Sequence, residues 1–240
     1  MSERVVFEAL GVAGAPAPGR LTTTFRAGSL LVDAGAFAHG LAGPEADKIK
    51  DVLLTHAHLD HTLGLPFRLA HARLRVWGLE EVLDAVRESL LDGRIYPDMS
   101  DRVDWRPLEI GQTAAIGEFE VRVGPAAHGV PCLSFALKEN GRTTVIVGDT
   151  SRQDPVVEWV AGEAPDRVVL ECSFPDRLRE LAVEWGHQSP SDFLHWRKAL
   201  GPKPAFFVTH LKPGLEDEIE NELSALSDPA LTVLRQGDRF

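Results

Sequence analysis

Cysteine is scarce in this chain: Cys132 and Cys172 are the only two among 240 residues. That excludes a disulfide framework. Each lies in an apolar segment and reads as a small buried core residue. Long apolar runs are missing too. No stretch reaches the roughly 18 residues that read as a membrane span, so no membrane segment is expected. The N-terminal "MSERVVFEALG" has no basic region followed by an apolar run. It predicts no secretory signal and a cytoplasmic location. Positive charge is in deficit, with 25 Lys and Arg against 36 Asp and Glu, a formal net charge of −11. Non-specific binding to nucleic acid needs a basic footprint, so nucleic acid is not an expected partner. A small anion stays compatible where the local site supplies positive charge, and metal ions are one source of it. There is no low-complexity segment, internal repeat or evident linker, so residues 1–240 are expected to form a single domain.

What is present is a series of short strands with helices between them. "SLLVDAG", "DVLLTH", "LRVWG", "FEVRVGP", "DRVVLECSF" and "AFFVTHL" are apolar runs bounded by polar or turn residues, and read as strands. "GVAGAPAPGR" reads as a loop between two early strands. "LSFALKENGRTTVIVGDT" predicts a hairpin turning at Asn140-Gly141. Helices are expected over "LGLPFRLAHA", with Pro66 near its first turn, over "LEEVLDAVRESLLDG", and at about 176–186, 189–200 and 215–226. The helix at 189–200 opens with an N-cap serine, Ser189, followed by Pro190. The acidic "LEDEIENEL" (215–223) reads as a solvated helix face. This pattern suggests two packed sheets with helices outside, although periodicity alone also fits a doubly wound α/β sheet.

The chemistry concentrates in "THAHLDHTLG", which puts His56, His58, Asp60 and His61 into six consecutive positions. Imidazole and carboxylate at that density suit a divalent ion such as zinc. His56 and His58 alternate along an extended segment, so they point the same way and can share one ion. Asp60 and His61 begin a helix and can reach a second. Three further apolar strands each deliver a ligand-type residue at their end: His128 in "PAAHGVP", Asp149 in "VIVGDT" and His210 in "FFVTHLKP". His195 and His71 read as structural or solvated, and His39 is not expected to take part.

"THAHLDH", His128, "GDT" and "THLKP" occur in the order found in the metallo-β-lactamase superfamily, which the chain resembles over nearly its whole length, "LVDAGAFAHGL" included. The resemblance implies an α+β fold, a four-layer αββα sandwich with a two-metal site at one sheet edge. By position, His56, His58 and His128 would hold one ion, Asp60, His61 and His210 the other, and Asp149 would bridge both. Zinc is the first expectation for both ions, with manganese and iron compatible.

"VVLECSFP", "GHQSP" and "FFVTHLKP" resemble the class II 3′,5′-cyclic nucleotide phosphodiesterases. "HLDHTLGL" is similar to their signature, from which Pro66 departs, and "RIYPDMSD" is similar to an aromatic-Pro segment of theirs. The resemblance implies hydrolysis of cyclic AMP or cyclic GMP to the 5′-monophosphate by a metal-bridging hydroxide, and by family habit a homodimer. His187 would protonate the leaving oxygen, Glu171 would fix its tautomer, and Asp60 would also orient the hydroxide. Ribonuclease Z enzymes share part of this arrangement and give the alternative reading. The chain shows no long insertion like the tRNA-gripping arm many of them carry, and its acidity opposes a tRNA substrate. Thioester or lactam hydrolysis on the same fold would leave Glu171 and His187 without a use. A metal-stabilised binding protein is the non-enzymatic alternative.

Overall fold

Alternation along the strands assigns the layers. In β3 (Leu30–Val32), Leu30 and Val32 face one apolar cluster and Leu31 the other. In β11 (Arg167–Glu171), Val169 joins that same first cluster, while Val168 and Leu170 join a third. Strands that alternate between two apolar environments are buried on both faces, as a sheet flanked by other layers requires. The structure, a computed structural model, describes residues 5–240. The first four residues of the N-terminal stretch, on which the expectation about a secretory signal partly rests, lie outside the described residues.

The described strands form two sheets. The first runs in chain order: β1 (Phe7–Gly11), β2 (Thr24–Ala27), β3, β4 (Asp51–Leu53), β5 (Leu74–Gly78) and β6 (Val103–Pro107). Its first three strands are antiparallel, and β3 to β6 are parallel. The second contains β7 (Thr113–Ile116), β8 (Phe119–Pro125), β9 (Leu133–Glu139), β10 (Arg142–Ile146), β11, β12 (Ala205–Thr209) and β13 (Leu231–Val233). It runs in reverse chain order from β13 to β7. Here β7 to β10 are antiparallel and β10 to β13 parallel.

The first cluster lies between the sheets, with Phe25, Leu53, Phe119 and Phe135 among its members. The second lies outside the first sheet, where α1 (Phe37–Gly40), α4 (Leu65–Leu69) and α5 (Glu80–Ser89) bring Phe37, Leu65, Leu69, Val82, Leu83 and Val86 against Leu31, Val52 and Val76. The short α2 (Gly43–Asp47) and α3 (Leu59–Thr62) flank this layer in sequence. The third lies outside the second sheet, under α6 (Asp154–Gly162), α8 (Phe193–Leu200) and α9 (Glu216–Ala225), with Trp196 wholly buried. The short α7 (Arg179–Glu184) precedes α8. Helix, sheet, sheet and helix give the expected αββα sandwich.

The hairpin turns where the sequence placed it, with Asn140 and Gly141 at φ +49° and +74°. Two positive φ values in a two-residue loop match the twist of its strands. Ser189 and Asp192 form a capping box at a short 3₁₀ turn that runs into α8. Several elements were not expected, among them the short α1 and α2, α6, β6, β7 and β13. α6 carries Val156, Val157 and Val160, β-branched residues that read as strand; packing on the second sheet overrides the propensity. β13 is a three-residue edge strand, and β6 and β7 are edge strands with mostly solvated side chains, so their apolar signal is weak. The acidic face of α9 is paired rather than merely solvated: Glu216 meets Arg20, Glu218 meets Arg177 and Glu220 meets Arg235. Cys132 and Cys172 are both buried, as core residues.

Candidate metal centre

The parallel halves of both sheets end on the same side of the molecule, and the candidate residues follow those ends. Asp33 follows β3, His56 follows β4 and Asp149 follows β10. Glu171 closes β11, and His210 follows β12. His128 comes from the loop after β8. Carboxyl ends of parallel strands are where α/β sheets place ligands, because the chain leaves the sheet there with backbone and side chains free to turn inward.

These donors converge. Ligand atoms of His56, His58 and His128 lie within 4.8 Å of one another, and so do those of Asp60, His61 and His210. A third set, His56, His61 and Asp149, joins the first two within the same limit. Asp149 Oδ2 lies 3.8 Å from His56 Nε2, 3.5 Å from His61 Nε2 and 3.2 Å from His210 Nε2. One carboxylate oxygen therefore faces donors of both triads. Asp60 Oδ2 is 3.2 Å from His210 Nε2 and 3.9 Å from His61 Nε2. His58 Nδ1 and His128 Nε2 are 3.2 Å apart, as are the Nε2 atoms of His61 and His210. Adjacent nitrogens on a tetrahedral ion with bonds of about 2.0–2.1 Å lie about 3.3 Å apart.

The surrounding chain fixes which nitrogen each ring offers. Thr55 Oγ1 is 3.0 Å from His56 Nδ1. His61 Nδ1 donates to Asp33 Oδ2 at 2.7 Å, and His128 Nδ1 donates to the Gly186 carbonyl at 3.0 Å. His210 Nδ1 is 2.9 Å from Ser173 Oγ. In all four rings Nε2 is left to face the cluster, an orientation that raises the imidazole's strength as a ligand. His58 is the exception and presents Nδ1.

The residues fit divalent ions on this structure's own terms. His56 Nε2 is buried and has no hydrogen-bond partner among the described residues. Such an atom is costly in a protein interior unless it is a ligand. Asp33, Asp149 and Glu171 are buried in the same region, so cations would also balance a local excess of negative charge.

Electrostatics follow the same pattern. Burial pushes His56 well below the usual imidazole range, and it lowers His58 and His128 in the same direction. Burial also opposes charge on His61, yet the Asp149 and Asp33 carboxylates override it and raise His61 well above its ordinary value. Burial would raise Asp149 and Asp60. The neighbouring histidines outweigh it, His210 and His61 for Asp149 and chiefly the His210 hydrogen bond for Asp60, and hold both well below the carboxylate range.

Glu171 and His187 meet beside the cluster. His187 Nδ1 lies 3.2 Å from Glu171 Oε1, and the His187 ring is 5.0 Å from that of His128 and 5.4 Å from that of His210. Burial disfavours the imidazolium, but Glu171 overrides it and raises His187. Ser173 ties this pair to the triads. Its hydroxyl donates to Glu171 Oε2 at 2.8 Å and lies within 3.2 Å of both His187 Nδ1 and His210 Nδ1. A hydroxyl with one donor and two acceptor sites can serve all three.

Asp33, Thr55, Ser173 and the Gly186 carbonyl had no assigned role in the sequence. A signal existed for Asp33, an aspartate leaving a buried strand. Asp33 and His210 take positive φ, +60° and +65°, uncommon for residues other than glycine. Backbone strain of this kind gathers at functional sites. Gly186, at φ +73°, leaves no room for a side chain: a Cβ would sit 2.8 Å from His128 Nδ1. His39 is exposed on α1, His71 is exposed at the end of α4, and His195 lies 3.4 Å from Asp154; none belongs to the clusters.

A family profile described as the Beta-lactamase superfamily domain matches residues 29–210. A ribonuclease of Thermus thermophilus is 30% identical over 168 residues, covering 62% of this chain and 39% of that protein. A ribonuclease Z of Methanopyrus kandleri is 32% identical over 152 residues, covering 58% and 52%. The chain thus spans only about two-fifths to one-half of the length of these curated relatives. Among solved structures, the metallo-beta-lactamase fold protein YhfI from Bacillus subtilis superposes with a TM-score of 0.78 at 22% identity, over 99% of this chain and all of that one. Unliganded yeast PDE1 gives 0.78 at 18% identity, over 98% of this chain and 99% of that one. Likeness at that identity shows the shared fold alone.

Proposed function

This chain belongs to the beta-lactamase superfamily, and from that premise we propose that it is a metal-dependent hydrolase of nucleotide phosphodiesters. The observation that carries the reading is the buried Glu171–His187 pair standing beside two donor triads joined by Asp149. Cleaving a phosphodiester expels an alkoxide, which needs a proton; a thioester leaving group does not.

In this reading His56, His58 and His128 would hold one ion, Asp60, His61 and His210 would hold another, and Asp149 would contribute to both. Divalent ions held there supply positive charge to phosphate oxygens and acidify water. The protein's own groups do the rest. Asp33 keeps the proton of His61 on Nδ1, so that its Nε2 stays a donor toward the cluster. Asp60, half-buried at the first turn of α3, is the carboxylate placed to orient water. Glu171 takes the Nδ1–H of His187, so the proton available to a leaving oxygen is held at His187 Nε2. Ser173 holds Glu171, His187 and His210 in one mutual geometry.

Relatives named as ribonucleases support a linear ribonucleotide diester as the substrate, and we place that reading first. One observation favours opening of a 3′,5′-cyclic nucleotide to its 5′-monophosphate as the second. The net charge of −11 suits a small anion better than a polyanion. Zinc-loaded protein incubated separately with a 3′-extended RNA, with 3′,5′-cyclic AMP and with bis(p-nitrophenyl) phosphate decides between them by chromatography of the products. Cleavage of any diester, lost in His58→Ala, supports the class, and the preferred substrate selects the reading. Failure on all three would overturn it.

A further inference from the structure

We propose that Trp185 is a stacking platform for a nucleobase of the substrate, on the side of the site where His187 lies. The inference rests on the phosphodiester reading and names the part of the substrate that lies beyond the phosphate.

Trp185 is 53% exposed, while Trp196 is wholly buried. The exposed indole is joined to the site through the ring of Phe174, and a large amphipathic aromatic with one side open to water is suited to binding a flat ring. It is also held firmly. Trp185 and Phe174 make a T-shaped contact with ring centroids 5.8 Å apart, and Phe174 lies 5.8 Å from the ring of His187. A T-shaped contact engages at most one face of the indole, which leaves the other for a ligand. Phe174 is itself buried, and its N–H donates to the Gln188 carbonyl at 3.3 Å.

The backbone below the platform is fixed to the cluster. The N–H groups of Trp185, Gly186 and His187 donate to Leu181, Val183 and Ala182, so α7 ends in a defined turn. The Gly186 carbonyl in that turn accepts from His128 Nδ1. One three-residue segment therefore carries a stacking surface, the carbonyl that orients His128 and the proton donor of the proposed reaction. The indole stands two ring contacts beyond His187. In the proposal, the nucleoside on the oxygen that His187 protonates extends past Phe174 to the indole. Bases of every kind stack on an aromatic face, so the platform would recognise a nucleoside without selecting its sequence. Val183, whose carbonyl accepts from the Gly186 N–H, is 50% exposed.

The test is equilibrium binding by calorimetry to zinc-loaded protein. The ligands are 5′-AMP and ribose 5-phosphate, and the proteins are wild type, Trp185→Ala and Trp185→Phe. Wild type is expected to bind 5′-AMP roughly tenfold more tightly than ribose 5-phosphate, the scale of one stacked base. Trp185→Ala should lose that advantage with ribose 5-phosphate binding unchanged, and Trp185→Phe should retain most of it. Equal weakening of both ligands in Trp185→Ala, an advantage that survives the substitution, or no advantage in wild type would overturn the proposal. Turnover of bis(p-nitrophenyl) phosphate by wild type separates the two levels. If diesters are cleaved and Trp185 makes no difference, the platform alone fails. If no diester is cleaved and neither ligand binds, the phosphodiester reading fails and the platform with it.

Discussion

On the α3 side of the site, His56, His58, Asp60 and His61 come from six consecutive residues. On the α7 side, Glu171, Ser173, Gly186 and His187 come from a strand end and a helix end that meet only because β11 and the turn after α7 are neighbours. The first side needs local geometry alone. An extended segment gives His56 and His58 to one triad, and the first helical turn gives Asp60 and His61 to the other. The second side needs the sheet, because Ser173 must touch Glu171, His187 and His210 at once. In the proposed reading, four of the seven candidate metal ligands thus come from one local motif, while the proposed proton donor and its support are brought together by tertiary structure.

Removing a member of each side should break this comparison most sharply. His56→Ala deletes the buried, unpartnered Nε2. Metal content by mass spectrometry should fall by at least one ion per chain, and diester turnover should drop on the order of 10³-fold or more, the scale of lost charge stabilisation. His187→Ala should lower turnover by about 10²–10⁴-fold, as expected for a lost general acid, with metal content unchanged. Loss of metal from both variants alike would show that the two sides share one role.

A smaller effect sharpens the first side. Among the described residues, Asp33 reaches the cluster only through His61 and Thr55. Asp33→Asn should weaken metal affinity by about 10–100-fold, as outer-shell substitutions do. Titration with a competing chelator reads that affinity directly, and turnover at saturating metal should return close to wild type. A permanent loss of turnover at saturating metal would mean that Asp33 acts on the reaction itself.

The smallest effect is expected outside both sides. His39 is exposed on α1 and belongs to no donor group among the described residues. His39→Ala should change stability by no more than about 0.5 kcal/mol in urea unfolding and leave metal content intact. A change in bound metal would place His39 in the site.

The elements that the sequence displayed poorly have a common cause. Edge strands such as β6 and β13 bury little, so they carry little apolar pattern. α6 is a helix despite its valines because its apolar face closes the outer layer of the second sheet. Asp33 and Ser173 are single polar residues with no periodicity, and a polar side chain near a strand end is common without a site. Trp185 gives no sequence signal either, since only the fold decides whether a tryptophan is core, like Trp196, or open to solvent.

By itself the sequence determined the hairpin at Asn140-Gly141 and the four-donor motif, because turn chemistry and i to i+2 placement act over a few residues, whereas its periodicity fitted a doubly wound sheet as well as two packed sheets. His128, Asp149 and His210 were legible as ligand-type residues at strand ends. Only the tertiary structure brought them onto the motif, aimed Asp149 Oδ2 at both triads and set Ser173 between Glu171 and two histidines. Those contacts join residues up to 150 positions apart, as between Asp60 and His210. Parallel strands from two separate sheets must end on one side of the sandwich before such groups can meet.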